Sequence, residues 1–138
     1  MAITTKEYLM SKNIILVNYN KCDKDLYSKL SALKKYNLTI VYDYKAFTNA
    51  YDNTSYDLCL VNIKDKNEHN FVVYYMSHQK KNQKILSLKK SMKKCFFNNE
   101  CSLCNNYKVK VLPAHSNSQY LQSCIDDFDL YKCKVCER

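Results

Sequence analysis

The 138-residue sequence contains no glycine. Glycine serves where φ must be positive or where backbone must pass close to a phosphate. Its absence excludes the Walker phosphate loop, the dinucleotide fingerprint and the hydrolase nucleophile elbow, each of which is written with glycines. Turns must use Asn and Asp, which tolerate the left-handed region. Asn18, Asn20, Asn37, Asn53, Asn67, Asn98, Asn99, Asn105 and Asn106 stand between the periodic segments. Tryptophan is also absent, Pro113 is the one proline, and Arg138 is the one arginine. Positive charge carried on lysine lacks the forked donor that reads guanine, which argues against sequence-specific DNA recognition. The longest aliphatic run, Ile14 to Val17, is far too short to cross a bilayer. The first residues carry no apolar signal-peptide core, so the expectation is a soluble, non-secreted protein without membrane contact.

What is present is 46% apolar residues, enough for a packed core, and a Lys/Asn/Tyr excess typical of AT-rich coding sequence. Residues 13–19 read as a buried strand. Residues 24–36 read as a helix capped by Asp23, with Leu26, Leu30 and Leu33 as its apolar stripe and Asn37 as its end. A strand over 38–44, a short helix over 45–51 and a strand over 56–63 follow. The strands are continuous apolar runs, as in parallel sheets covered on both faces. Residues 64–70 read as a polar loop and 71–76 as a fourth strand. So short a connection implies a hairpin, with strand four antiparallel to strand three. Residues 82–94 read as a basic amphipathic helix with Ile85, Leu88 and Met92 on one face. A strand over 107–112 and a helix capped by Asn117 or Ser118, with Leu121, Cys124, Ile125 and Phe128 inward, complete the pattern. The fold expected is α+β: an α/β body over 1–78 (β-α-β-α-β plus a hairpin strand), a basic helix over 79–94, and a cysteine-rich module over 95–138.

Six of the eight cysteines fall in that last segment. Cys101/Cys104 and Cys133/Cys136 both have the C-x-x-C spacing, with 28 residues between the pairs. Each such turn can aim two thiolates at one point, and two turns complete a tetrahedral S₄ zinc site with Zn–S of about 2.3 Å. Lys132 and Lys134 would offset the tetrathiolate charge. Knuckle, strand, helix and second ligand pair is the layout of a treble-clef or RING-like module. Disulfides, redox chemistry and plain buried thiols are the alternatives, the first disfavoured without a secretory signal. Cys22 and Cys59 read as core. A second metal site from Cys95, His115 and Cys124 competes with a core role for Cys124.

Residues 79–110 hold nine lysines and one acid. Lys84, Lys89, Lys90, Lys93 and Lys94 either meet nucleic-acid phosphates without sequence preference or form a solvated helix face. Catalysis finds little support: His69, His78 and His115 are the only histidines, and adjacent Asp126 and Asp127 point apart on a helix. No catalytic residues and no small-molecule substrate are expected.

Two resemblances bear on these residues. The stretch Tyr56-Asp57-Leu58-Cys59-Leu60-Val61-Asn62-Ile63 resembles the third strand of phosphoacceptor receiver domains, over about the first 65 residues. The family's acceptor aspartate falls on Asn62 and its acidic pair after the first strand is missing, so no activity carries over. Cys101-Ser-Leu-Cys104 and Cys133-Lys-Val-Cys136, with the size and composition, resemble a family of small baculovirus core proteins of nucleocapsid assembly with a RING or U-box-like domain. That implies a structural protein of the host nucleus or virion, partnered by other capsid or assembly proteins. The expectation is a non-enzymatic zinc-binding scaffold. Its rivals are a nucleic-acid-binding factor of late transcription and a degenerate RING or U-box ubiquitin ligase.

Overall fold

In a computed structural model, which describes residues 12–89, 109–113 and 117–130, the chain forms one five-stranded sheet, every pair in it parallel. The strands are β1 (Asn13–Asn18), β2 (Asn37–Val41), β3 (Leu58–Asn62), β4 (Ile85–Lys89) and β5 (Val109–Pro113), in the spatial order β2-β1-β3-β4-β5. This is the doubly wound order in which the chain steps outward in both directions from β1. Ile14, Ile15, Leu16 and Val17 are all sealed from solvent, which is why β1 is a continuous apolar run: both faces of the strand are covered.

The helices divide between the two faces. Helix α1 (Lys24–Lys29) starts at Asp23, whose carboxylate accepts from the Leu26 amide, and tightens into a 3₁₀ turn over Leu30–Leu33. Helix α4 (Ser118–Asp126) starts at Asn117, whose side chain accepts from the Tyr120 amide. Together α1 and α4 cover one face, burying Leu26, Leu33, Leu121, Ile125 and Phe128 against Ile14, Leu16, Leu60 and Leu86. Helices α2 (Tyr44–Asn53) and α3 (Lys66–Gln79) cover the other, where Phe47, Tyr51, Val72, Val73 and Met76 meet Ile15, Val17, Val61 and Ile85. Each such aliphatic or aromatic side chain contributes about 1.5–3 kcal/mol by leaving water. No helix among the described residues is long and apolar enough to cross a membrane.

The α/β character expected of the first half is present, and its parallel sheet runs further along the chain than expected. Residues 66–76, expected as part of a polar loop and a hairpin strand, lie in α3, the crossover that lets β4 pair parallel to β3. Residues 85–89, expected inside a basic helix over 82–94, are β4, with Ile85, Leu86, Ser87 and Leu88 all buried. The sheet therefore runs across residues 78 and 94, where domain boundaries were expected, and takes in β5. The helix expected to reach residue 36 ends earlier, and Asn37 opens β2, its amide donating to the Lys12 carbonyl at 2.8 Å. Asn82 takes φ of 63° in the turn before β4, the use of asparagine that a chain without glycine requires.

Candidate functional site

The amino edge of the sheet receives the end of α4. Helix α4 runs antiparallel to the strands and finishes at this edge, where lysines and a tyrosine grip its last turn. Lys12, just before β1, donates to the Ile125 carbonyl at 2.8 Å. Lys35 pairs with Asp126 at 3.0 Å, and the Tyr36 hydroxyl donates to the same carboxylate at 2.5 Å. Lys84, just before β4, pairs with Asp129 at 2.9 Å. Lys110 of β5 donates to the Phe128 carbonyl and sits 4.7 Å from the centroid of that ring. Cations at a helix C-terminus complement the negative end of its dipole and its unpaired carbonyls. The chain thus leaves α4 beside the starts of β4 and β5.

Cys101, Cys104, Cys133 and Cys136, expected to bind zinc, lie outside the described residues, as do Cys95 and His115 of the alternative site. Their distance along the chain is nonetheless fixed. Cys104 stands five residues before Val109 and Cys133 three after Leu130, reaches of at most about 17 and 10 Å for extended chain. Cys124 lies in α4 and is buried in the cluster formed with Leu121, Ile125 and Phe128, the core position its spacing predicted. Cys59 is also core, and burial pushes its thiol pKa far up. Cys22, expected in the core, is exposed, because it sits in the turn between β1 and α1. Among the described residues no group of three or more His, Cys, Asp or Glu could hold a metal.

The lysines expected to face nucleic acid are not on one helix. Lys84 is ion-paired with Asp129, and Lys89 ends β4. Lys90, Lys93 and Lys94 lie outside the described residues. Lys80, in the same basic stretch, closes the C-terminal end of α2, donating to the Tyr51 and Thr54 carbonyls. Three lysines of the stretch, Lys80, Lys84 and Lys110, thus have internal partners.

The Tyr36–Asp126 contact has a pH signature. Burial works against the Asp126 carboxylate, but the Tyr36 and Lys35 hydrogen bonds outweigh it and hold its pKa below the usual range. Burial and that same bond push the Tyr36 phenol up. A depressed carboxyl contributes stability above its unfolded pKa and loses it as pH falls through the folded value. A raised phenol contributes below its unfolded pKa and loses it as pH rises. The pair therefore supports the fold between about pH 4 and pH 10. Tyr36→Phe is expected to cost about 1 kcal/mol in that window. Urea unfolding across pH should show the cost shrinking below pH 4; an undiminished cost there would contradict the assignment.

At the opposite, carboxyl edge the strand order reverses between β1 and β3, the place where doubly wound sheets bind ligands. Asn18 and Asn62 pair there in register and are buried. The Asn62 amide donates to the Asn18 side-chain oxygen at 3.0 Å and to Asp23 at 3.2 Å. Asp23 also caps α1, so one carboxylate locks both strands to the first crossover. Above them lies an open depression of about 580 Å³ lined by Tyr19, Asn20, Ile63, Lys64, Asp65, Lys66 and Glu68. The Tyr19 hydroxyl is shielded from solvent with no hydrogen-bond partner among the described residues. Burial, then the carboxylates of Glu68 and Asp43, push its pKa up to about 12.

Next to this edge, His69 Nε2 lies 2.5 Å from Ser87 Oγ, and His69 Nδ1 lies 3.0 Å from Asn70 Oδ1. A hydroxyl, an imidazole and an orienting amide make the outline of a nucleophile with its base. Here Ser87 and His69 are 0% and 1% exposed, so no substrate reaches them and the bond satisfies a hydroxyl that β4 turns into the α3 layer. The sequence placed His69 in a loop. Its partnership was not readable, since the spacing from Ser87 acquires meaning only once α3 and β4 are known. No family model, no curated protein and no solved structure matches this chain.

Proposed function

We propose that the chain is a non-enzymatic scaffold protein whose carboxyl-terminal segment is clamped to the sheet by one zinc ion on Cys101, Cys104, Cys133 and Cys136. The observation that carries this is the convergence at the amino edge. Lys84–Asp129 and the Lys110–Phe128 bond hold the exit from α4 beside the entry to β5. The two C-x-x-C pairs flank that junction at five and three residues, within reach of one ion. The alternative trio of Cys95, His115 and Cys124 is disfavoured by the burial of Cys124 in the apolar core. The resemblance to baculovirus nucleocapsid-assembly proteins supplies the setting: capsid or assembly proteins as partners, in the host nucleus or virion.

Metal analysis of the purified chain tests this. The expected result is one zinc per chain, lost when Cys101, Cys104, Cys133 or Cys136 is changed to Ser and kept when Cys22, Cys59 or Cys124 is changed. A chain without zinc, or one that keeps it through all four substitutions, removes the clamp. Reversing Lys89, Lys90, Lys93 and Lys94 to Glu is expected to leave protein partners bound. Steeply salt-dependent nucleic-acid affinity abolished by that reversal would favour the transcription-factor reading instead.

A further inference from the structure

Helix α3 is unlike the rest of the chain. A quarter of all residues are charged, yet the eleven from His69 to Gln79 include no Asp, Glu, Lys or Arg. Its inner side packs Val72, Val73 and Met76 on the sheet. Its outer side carries Asn67, Phe71, Tyr74 and His78, all exposed, Phe71 at 54% and Tyr74 at 44%. Tyr44 of α2, 46% exposed, extends this surface, its ring 5.6 Å from Phe71. Tyr74 and His78 pack at 6.2 Å further along the same stripe. A helix without a charged side over three turns is one whose outer face becomes covered, and aromatic enrichment with depletion of charge marks the core of protein interfaces.

We propose that this face is a two-fold interface on which a second copy of the chain docks, α3 against α3 in antiparallel. Two observations select that occupant. First, the stripe reads the same in both directions. Positions 67, 71, 74 and 78 are spaced four, three and four. Antiparallel pairing about their midpoint sets Phe71 level with Tyr74 of the other copy and Asn67 level with His78 of the other copy, as an isologous contact requires. Second, the molecule carries a net charge of +9. Like molecules so charged repel wherever lysines face one another, and this face bears none between residues 69 and 79. An acidic partner would be drawn to the lysines, not to a surface that lacks them. Antiparallel helices also oppose their dipoles favourably.

The interface is independent of the zinc clamp, which lies at the amino edge. Sedimentation velocity on the full zinc-loaded chain is expected to show a dimer. Joint Phe71→Glu and Tyr74→Glu substitution should weaken it at least about a hundredfold, the scale of two central aromatic anchors. Both side chains are exposed, so the variant should keep the wild-type circular dichroism and urea midpoint. Should it misfold, concentration-dependent hydrogen exchange of the unmodified chain gives the same answer: α3 amides gain protection as the dimer fills. Cys133→Ser should lose zinc and keep the dimer, which separates this interface from the clamp. A chain that sediments as a monomer up to its solubility limit overturns the proposal. So does a dimer that survives both glutamates in a folded variant, or one whose exchange protection falls elsewhere than α3.

Discussion

Asn62→Asp is expected to destabilise the fold by about 3 kcal/mol or more at pH 7, and the loss should shrink as the solution is acidified. Asn62 is buried at the end of β3 and spends its amide hydrogens on the Asn18 oxygen and on Asp23. A carboxylate in its place turns that donor into an acceptor facing two acceptors, one of them charged. A buried charge without a partner costs about 3–5 kcal/mol, and a second carboxylate at about 3 Å adds like-charge repulsion. Both effects raise the folded-state pKa of the introduced carboxyl above its unfolded value near 3.9. The penalty is therefore present at neutral pH and is relieved as pH falls through the raised value, where protonation restores one donor. Asn62→Leu is the control: it breaks the same hydrogen bonds without a charge, so its cost should not vary over this range. Urea unfolding between pH 4 and 8 reads the difference. Parallel pH dependence of the two variants would mean that the amide is not held against Asp23. The groups around position 62 are thus arranged around an amide and not a carboxylate.

The first half of the fold was legible because its signals agree. Asp23 stands one residue before a helix and caps it through the amide three residues on; Asp43 does the same for α2, a cap the sequence reading missed by running the second strand on to residue 44. The continuous runs of β1 and β3 mark a sheet with two covered faces. The reading failed at α3, where two signals compete. Phe71-Val-Val-Tyr-Tyr-Met76 has the β-branched and aromatic content of a strand. Its buried positions, His69, Val72, Val73 and Met76, follow the helical period, and Asp65 followed by Glu68 is the start of a capping box. Period and cap outweighed propensity because α3 has a sheet to lie on. At β4 the error was opposite. Ile85, Leu88 and Met92 suggested a helical stripe, but Leu86 and Ser87 between them are buried as well, a run of four such as a strand covered on both faces produces. Taking 85–89 as helix also left β5 without a partner strand, which is why residues 95–138 looked like a separate module. The amino-edge site was half legible. C-x-x-C spacing marks candidate ligands but says nothing of where the pairs sit, and the lysine contacts that hold the end of α4 beside the starts of β1 and β5 span 18 to 113 residues of sequence.

Removing zinc is expected to weaken the whole chain by about 3–4 kcal/mol and to loosen β5 and α4 before the rest of the sheet. In the proposed clamp the ion would join Cys104 to Cys133 and close a loop of 28 intervening residues; cross-linking a loop of that length removes unfolded-state entropy worth about that much. This is well below the roughly 10–16 kcal/mol by which zinc folds an isolated finger, because β1, β2, β3 and β4 with α1, α2 and α3 already own a two-sided core. The effect should concentrate where the cross-link acts. Among the described residues β5 is an edge strand with β4 as its one neighbour. α4 is nine residues long, too short to persist without its packing. With the clamp gone, its hold on the sheet rests on Leu121, Cys124, Ile125 and Phe128 and on the lysines at its last turn. Two of those contacts are exposed ion pairs, Lys35–Asp126 and Lys84–Asp129, worth at most about 1 kcal/mol each. Chelation should therefore lower the urea midpoint and speed hydrogen exchange in 109–113 and 118–126, while β1 and β3 keep their protection. Charge reversal at Lys84 should add to the loss in the chelated chain and change little in the zinc-bound one, since the ion then holds the same junction. If chelation leaves the midpoint and the exchange of α4 unchanged, the two cysteine pairs are not joined across the amino edge.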